Sequence, residues 1–101
     1  MKVYSRKTIV DYYKKNNQSK KSLETWHLEA KKAQWNTNQD IKDRYSTASF
    51  LHDNLVVFNI KGNDYRLAAR IDYKKKRIFI KWIGTHTEYD KKTFYCLITG
   101  E

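Results

Sequence analysis

The stretch LVVFNIKGNDYRLAARIDYKKKRIFIKWIG, residues 55–84, decides the fold. Apolar and polar residues alternate over Leu55–Lys61, Tyr65–Tyr73 and Arg77–Gly84, with the turn sequences KGND at 61–64 and KKK at 74–76 between them. Alternation with a period of two is typical of half-buried strands. Because connections this short join antiparallel neighbours, the stretch predicts an antiparallel meander of three strands.

Alternation also sorts the side chains of these strands onto two faces. One face is apolar and is expected to pack against helices: Val56, Phe58, Ile60, Tyr65, Leu67, Ala69, Ile71, Ile78, Ile80 and Trp82. The opposite face mixes cations with amide and aromatic groups: Val57, Asn59, Lys61, Arg66, Ala68, Arg70, Asp72, Arg77, Phe79, Lys81 and Ile83. Cations bind phosphates and rings stack on bases, so this second face suits a single-stranded polynucleotide.

The first half of the chain has the residue spacing of helices. One helix is expected to end near Lys15 with Ser5 as its N-cap. Apolar residues at intervals of three and four predict a second helix over Lys20–Trp35. A short helix is expected over Gln39–Tyr45, and Met1–Tyr4 is expected to be an edge strand.

Charge is the strongest compositional signal. Lys and Arg number 21 against 11 Asp and Glu, a formal net charge of +10, which points to a polyanionic partner. Both halves of the chain carry the excess, so binding is expected on the folded surface rather than on a tail. The length of 101 residues is that of one domain. We therefore expect one α+β domain over residues 1–101, with N-terminal helices packed on one face of a small antiparallel sheet.

Several classes of function are disfavoured by features that the sequence lacks. No segment has the apolar run of a signal peptide or a membrane span, so a cytosolic protein without a membrane partner is expected. The single cysteine, Cys96, cannot form an internal disulfide and is expected to be a small hydrophobe. The three histidines have no paired ligand spacing and the three glycines form no phosphate loop, so neither a metal nor a cofactor is expected.

His86 lies in the segment GTHTEYD, residues 84–90, where the third strand ends. Imidazole groups often act as general acids or bases, and Tyr89 offers a second group for acid–base chemistry. The pattern alone favours a structural interpretation, in which Thr85 or Thr87 caps a short helix and His86 makes only a local hydrogen bond.

Metal-free cleavage of RNA requires three chemical functions. A base takes the proton of the 2′-OH, cations stabilise the phosphoryl oxygens, and an acid protonates the leaving 5′-oxygen. Arg66 suits the second role because its planar guanidinium binds two phosphate oxygens. His86 has the chemistry of a base or an acid, and Tyr89 that of an acid or a base-stacking platform.

Two blocks of the sequence resemble a known family. The segments VFNIKGNDYRL at 57–67 and IKWIGTHTEYDK at 80–91, in this order, resemble the HigB toxin family of the RelE-like superfamily. Upstream, SRK at 5–7 and KKAQW at 31–35 resemble the helical half of that family, so the resemblance covers nearly the whole chain. Lys81 stands where an arginine is expected, and residues 93–101 match no part of the pattern.

The resemblance implies a RelE-like fold with its active site on an open sheet face. It also implies an mRNA interferase that cuts mRNA, often on the translating ribosome, and is inhibited by a cognate antitoxin, expected to be of helix-turn-helix type. Carried over by motif, the implied catalytic residues are Arg66, His86 and Tyr89. The RNA-binding residues are expected to be Asn59, Lys61 and Asn63, with Arg70 and Lys81 from the same cationic face.

A second interpretation keeps the same basic face but assigns it no chemistry. It describes a non-catalytic RNA-binding module, which predicts salt-sensitive binding without strand scission. A structural role, as in a protein-interaction adaptor or a degraded toxin, is expected only if neither binding nor cleavage is observed.

Overall fold

The computed structural model describes residues 1–91, so Cys96 and the unmatched segment 93–101 lie outside the described residues. Four α-helices and five strands form in this part of the chain. In chain order they are β1 Lys2–Tyr4, α1 Arg6–Lys15, α2 Lys20–Lys32, α3 Asn38–Arg44, β2 Ser49–Phe50, β3 Leu55–Ile60, β4 Tyr65–Asp72, β5 Arg77–Thr85 and α4 His86–Lys91. The expected α+β class, with helices preceding the main strands, is confirmed.

Within residues 1–91, the strands form one sheet in the order β1-β5-β4-β3-β2. Strands β3, β4 and β5 pair antiparallel, which confirms the predicted meander. The predicted N-terminal edge strand is also present, but β1 pairs with β5 in parallel. The sheet is therefore mixed rather than wholly antiparallel. The long connection from β1 to β5, through α1 to α3 and three other strands, permits this parallel pairing.

The N-terminal helices form close to the predicted positions but differ at their ends. Ser5 is the N-cap residue of α1 as predicted, but it adopts a left-handed conformation with φ 71° and its side chain makes no capping hydrogen bond. Helix α2 ends at Lys32, earlier than predicted, because Ala33 is extended. The α-ammonium group of Met1 donates to the carbonyl oxygens of Lys31 and Ala33 at 2.8 and 2.7 Å, and so satisfies acceptors at the end of α2.

The main hydrophobic core lies between the helices and one side of the sheet, which we call the covered face. The strand residues on it are Val56, Phe58, Ile60, Tyr65, Leu67, Ala69, Ile71, Ile78, Ile80 and Ile83, and the helices contribute Ile9, Leu23, Trp26, Ala30 and Ile41. Phe58 is fully buried, with ring centroids 5.2 Å from those of both Trp26 and Tyr45. Alternation predicted all of these strand positions except Ile83.

An irregularity in β5 explains that exception. Trp82 pairs with Ala68 and Ile80 pairs with Ala69, so Lys81 is an extra residue without a partner on β4. A bulge of one residue reverses the alternation beyond it. The predictions that Trp82 faces the core and Ile83 faces outward are therefore wrong: Ile83 joins the main core and Trp82 lies on the other side of the sheet.

The side of the sheet opposite the covered face is called the open face. It carries a small apolar cluster of Leu55, Val57 and Ala68, against which Leu51, Trp82 and Tyr89 pack. Helix α4 contacts the ends of β4 and β5 and brings Tyr89 to this cluster. None of the helices in the described residues is both long and apolar enough to span a lipid bilayer.

Candidate active site

The turn between β3 and β4 meets the start of α4 at one end of the open face. The last residue pair between β4 and β5 is Tyr65 with Thr85. Directly beyond it, the backbone N–H of His86 donates to the carbonyl oxygen of Asp64 at 3.1 Å. This bond places the histidine beside the 61–64 turn, so residues from two distant parts of the sequence share one end of the sheet.

Arg66 occupies the centre of this end. It lies on β4 between Asn59 of β3 and Gly84 of β5 and is half-buried. Its Nη1 donates to the carbonyl oxygens of Asn63 at 2.9 Å and Tyr65 at 3.2 Å. Since both bonds use Nη1, within residues 1–91 the Nε and Nη2 groups remain available to bind a phosphate.

Thr85 starts α4 with a reciprocal pair of capping bonds. The Thr85 hydroxyl oxygen accepts from the backbone N–H of Glu88 at 3.1 Å, and the Glu88 carboxylate accepts from the backbone N–H of Thr85 at 2.8 Å. This arrangement is a capping box, and it confirms the structural interpretation that Thr85 caps a helix. It also fixes where α4 begins, and hence the positions of the side chains on its first turn.

His86 and Tyr89 are three residues apart on α4, a spacing that places two side chains on neighbouring positions of a helix surface. The His86 side chain is 53% exposed, and its Nδ1 lies 3.9 Å from an oxygen of the exposed Asp90 carboxylate. Tyr89 instead is half-buried, with its ring centroid 6.2 Å from that of Trp82. The imidazole is therefore open to solvent, while the phenol lies against the sheet.

The environment of Tyr89 sets its protonation state. Burial raises the pKa of the phenol, the nearby Arg66 guanidinium opposes this rise, and the Asp90 carboxylate adds to it. The phenol consequently stays protonated at neutral pH. This state suits a proton donor and does not suit a general base. The same interaction shows that Arg66 and Tyr89 lie within electrostatic range of each other.

Trp82 is a residue of the candidate site that alternation missed. Its indole extends along β5 over Gly84: a Cβ built on Gly84 would lie 2.4 and 2.5 Å from Cζ2 and Cη2 of the indole. The absence of a side chain at Gly84 therefore permits this ring position. Together Trp82 and Tyr89 place two aromatic rings beside Arg66. The available signal was the spacing of three between Ile80 and Ile83, which breaks the period of two and marks a bulge.

Of the other five predicted residues, three lie near Arg66 and two lie farther along the sheet. Asn59, Lys61 and Asn63 belong to the same end of the sheet as Arg66. The Asn59 amide donates to the carbonyl oxygen of Thr47 at 3.2 Å, and the exposed Lys61 ammonium lies 4.0 Å from the Asp64 carboxylate.

Arg70 and Lys81 lie farther along the sheet than the other predicted residues. Arg70 pairs with Leu55 and Phe79, about 13 Å along β4 from Arg66 at the usual rise per residue. Lys81 is exposed at the bulge. The structure therefore brings six of the eight predicted residues to one end of the sheet and leaves Arg70 and Lys81 away from it.

This arrangement has the components of phosphodiester chemistry. It combines a cation suited to phosphate, a solvent-exposed imidazole and a protonated phenol, with two rings able to stack on bases. In the described part of the chain, no three or more His, Cys, Asp or Glu side chains cluster as metal ligands.

Comparison with known proteins gives two findings. Residues 19–92 match the model of a family described as HigB toxin, the RelE-like toxic component of a toxin–antitoxin system. The chain is also similar to a protein named mRNA interferase HigB from Escherichia coli O6:H1, with 46% identity over 39 residues. That alignment covers 39% of this chain and 38% of the relative's length.

Proposed function

The chain belongs to the HigB toxin family, the RelE-like toxic component of a toxin–antitoxin system, and from this membership we propose that it is an mRNA interferase, a metal-independent endoribonuclease. The observation that carries the proposal is the convergence of Arg66, His86 and Tyr89 at one end of the open face. The proposed substrate is single-stranded mRNA.

In the proposed reaction, His86 is the general base. It removes the proton of a ribose 2′-OH, and the resulting oxygen attacks the adjacent phosphorus. Arg66 binds the phosphoryl oxygens through its free N–H groups and stabilises the charge that builds on them. The P–O5′ bond then breaks, and Tyr89 donates its proton to the leaving oxygen. The products are a 2′,3′-cyclic phosphate and a 5′-hydroxyl end.

The remaining polar groups of the same face are proposed to bind the RNA. Asn59, Lys61 and Asn63 surround Arg66 and are proposed to hold the nucleotides next to the cut. Arg70 and Lys81 are proposed to contact phosphates farther along the strand. Stacking of a base on the rings of Trp82 and Tyr89 would orient the scissile phosphate without selecting a particular sequence.

The proposed partners follow from family membership and charge. From its membership of a family of toxic components of toxin–antitoxin systems, we propose that the protein has a cognate antitoxin of helix-turn-helix type. We further propose that it acts in the cytosol on mRNA bound to the ribosome, since a net charge of +10 favours association with such an RNA-rich particle.

The central test compares Arg66→Ala, His86→Ala and Tyr89→Phe with the unmodified chain. Matched controls are Arg6→Ala in α1 and His52→Ala between β2 and β3, which remove the same side chains from exposed positions outside the site. After induction, primer extension on cellular mRNA should show new 5′ ends for the unmodified chain and both controls. Removing Arg66 should lower cleavage about 10²- to 10³-fold, as for other groups that stabilise transition-state charge.

Two outcomes would contradict the proposal. Growth after induction is measured beside primer extension, and if all variants arrest growth equally, the site is elsewhere. If the unmodified chain produces no new 5′ ends with ribosomes present, it is not an mRNA interferase. Cleavage that stops when a chelator is added would refute metal independence alone.

The alternative of a non-catalytic RNA-binding module is favoured by one observation, the exposed position of the His86 ring without a hydrogen bond that orients it within residues 1–91. That alternative predicts salt-sensitive binding of mRNA and no new 5′ ends.

A further inference from the structure

A second group of aromatic and cationic side chains lies on the open face, where β1 forms one edge of the sheet. We call Lys2, Tyr4, Arg77 and Phe79 the edge patch. The rings of Tyr4 and Phe79 stack on each other, with centroids 5.0 Å apart and an angle of 13° between their planes. The two residues are paired across β1 and β5, so the stack bridges two strands.

The two rings of the edge patch do not serve the hydrophobic core. Their neighbours in sequence, Val3 and Ile78, pack with the main core on the covered face. Tyr4 and Phe79 therefore point to the open face, and neither ring belongs to or packs against either apolar cluster. Both are half-buried, which leaves ring surface exposed to solvent. Aromatic side chains that contribute nothing to the core are candidates for binding.

The charges around these rings indicate the chemistry of the ligand. The Lys2 ammonium lies 5.7 Å and the Arg77 guanidinium 5.9 Å from the centroid of the Tyr4 ring. Both cations are exposed. Aromatic rings flanked by cations match a single-stranded polynucleotide, whose bases stack while its phosphates pair with the charges. An acidic peptide would match the cations but gives no reason for the stacked rings.

The position of the edge patch separates it from the candidate active site. Phe79 is five residues before Gly84 on β5, a distance of about 16 Å at the usual rise per residue. A dinucleotide held at Arg66 does not reach that far, whereas a longer strand crossing the open face does. We propose that the edge patch is a second binding subsite for single-stranded RNA, which holds the strand some nucleotides away from the cut. The inference rests on the proposed function in taking RNA as the ligand.

Binding of an uncleavable strand tests the subsite. A 2′-O-methyl oligouridine of about 12 nucleotides lacks the free 2′-OH and serves as the probe, with the corresponding dinucleotide as the short comparison. Tyr4→Ala and Phe79→Ala should each weaken binding of the long probe about tenfold and leave the short probe unaffected. Tyr4→Phe keeps the ring and should bind like the unmodified chain. Lys2→Ala and Arg77→Ala should each lower the salt dependence by about one released counterion.

A second measurement does not depend on the stability of the variants. The ring resonances of Tyr4 and Phe79 in the unmodified full-length chain should shift when the long probe is added, and not when the short probe is added. Unmoved resonances, or equal affinities for all variants, would overturn the subsite, as would an unmodified chain that does not bind the probe. If only the antitoxin shifts these resonances, the patch is a protein interface and the inference is wrong.

The failure of the subsite and the failure of the proposed function give different results. Cleavage of unmodified RNA without any effect of Tyr4→Ala on the long probe would refute the subsite and keep the nuclease. Ring-dependent binding of the long probe without cleavage would refute the nuclease and keep the subsite.

Discussion

The covered and open faces of the sheet are built from the same strands but use their side chains differently. On the covered face, Phe58 and the rings of Trp26, Trp35 and Tyr45 form a continuous aromatic core. On the open face, the apolar cluster is limited to a few side chains around Ala68, and aromatic rings there stand beside cations. Burial therefore accounts for the covered face, whereas the open face holds rings for which packing gives only a partial reason.

The same substitution on each face should have very different effects on stability. Phe58→Ala should lower the free energy of unfolding by about 3–5 kcal/mol, because it leaves a cavity among buried rings. Phe79→Ala removes a half-buried ring outside both apolar clusters and should cost only about 1 kcal/mol. Urea unfolding measures both values. Equal losses would show that the two faces do not differ in their contribution to stability.

Gly84→Ala tests how the open face holds its aromatic rings. The new methyl group would collide with the Trp82 indole at less than 3 Å, so we expect a loss of about 1–3 kcal/mol and a change in tryptophan fluorescence. Cleavage should fall as well, because the displaced indole contacts Tyr89. In a Trp82→Leu background, the same substitution should cost clearly less. An unchanged cost would mean that the indole does not lie over Gly84.

Thr85→Ala tests the role of α4, which contacts the ends of β4 and β5 and places Tyr89 on the open face. Loss of the capping box should cost about 1 kcal/mol. Cleavage should decrease a few-fold, because both His86 and Tyr89 depend on the position of this helix. Thr87→Ala on the same turn is the control. The idea fails if both substitutions have the same effect on thermal unfolding and on cleavage.

His27 gives the smallest expected effect and lies on the helical side of the molecule. Burial lowers the pKa of its imidazole from 6.5, and the nearby Arg6 and Lys31 charges lower it further. The unfolded chain therefore binds a proton more readily below pH 6.5, and stability is lost as the pH falls through this range. His27→Gln should reduce the loss between pH 7 and pH 5 in urea unfolding. The same pH dependence in both proteins would contradict this assignment.

Alternation predicted most of the sheet because burial on the covered face repeats at every second residue. The strands from Leu55 to Asp72 follow it throughout. The family resemblance added Asn59, Lys61 and Asn63 to the three candidates already suggested by their chemistry, and the structure brings all six to one end of the sheet. Alternation failed at Trp82 and Ile83, since the period assumes a regular ladder and Lys81 interrupts it. The parallel pairing of β1 also lay beyond local patterns, because it joins residues more than 70 positions apart in the chain.

The end of α2 illustrates a different limit of sequence reasoning. Helical spacing continues to Trp35, yet the helix stops where the amino group of Met1 reaches its last carbonyls. A contact between the first residue and the thirty-third depends on tertiary structure, so residue spacing within the helix contains no sign of it. The edge patch also depends on tertiary structure, since only the pairing of β1 with β5 brings Tyr4 and Phe79 together.

The bulge at Lys81 should leave a trace in the mutational tolerance of this gene. In a saturation library selected for folding alone, polar replacements should be rejected at Ile78 and Ile80. The next rejected position should be Ile83 and not Trp82, where regular alternation would place it. Selection for growth arrest should add Trp82 to the rejected set. The pattern of rejected positions would reveal the one-residue bulge without a structure. The difference between the two selections would show which residues of β5 are needed for stability and which for growth arrest.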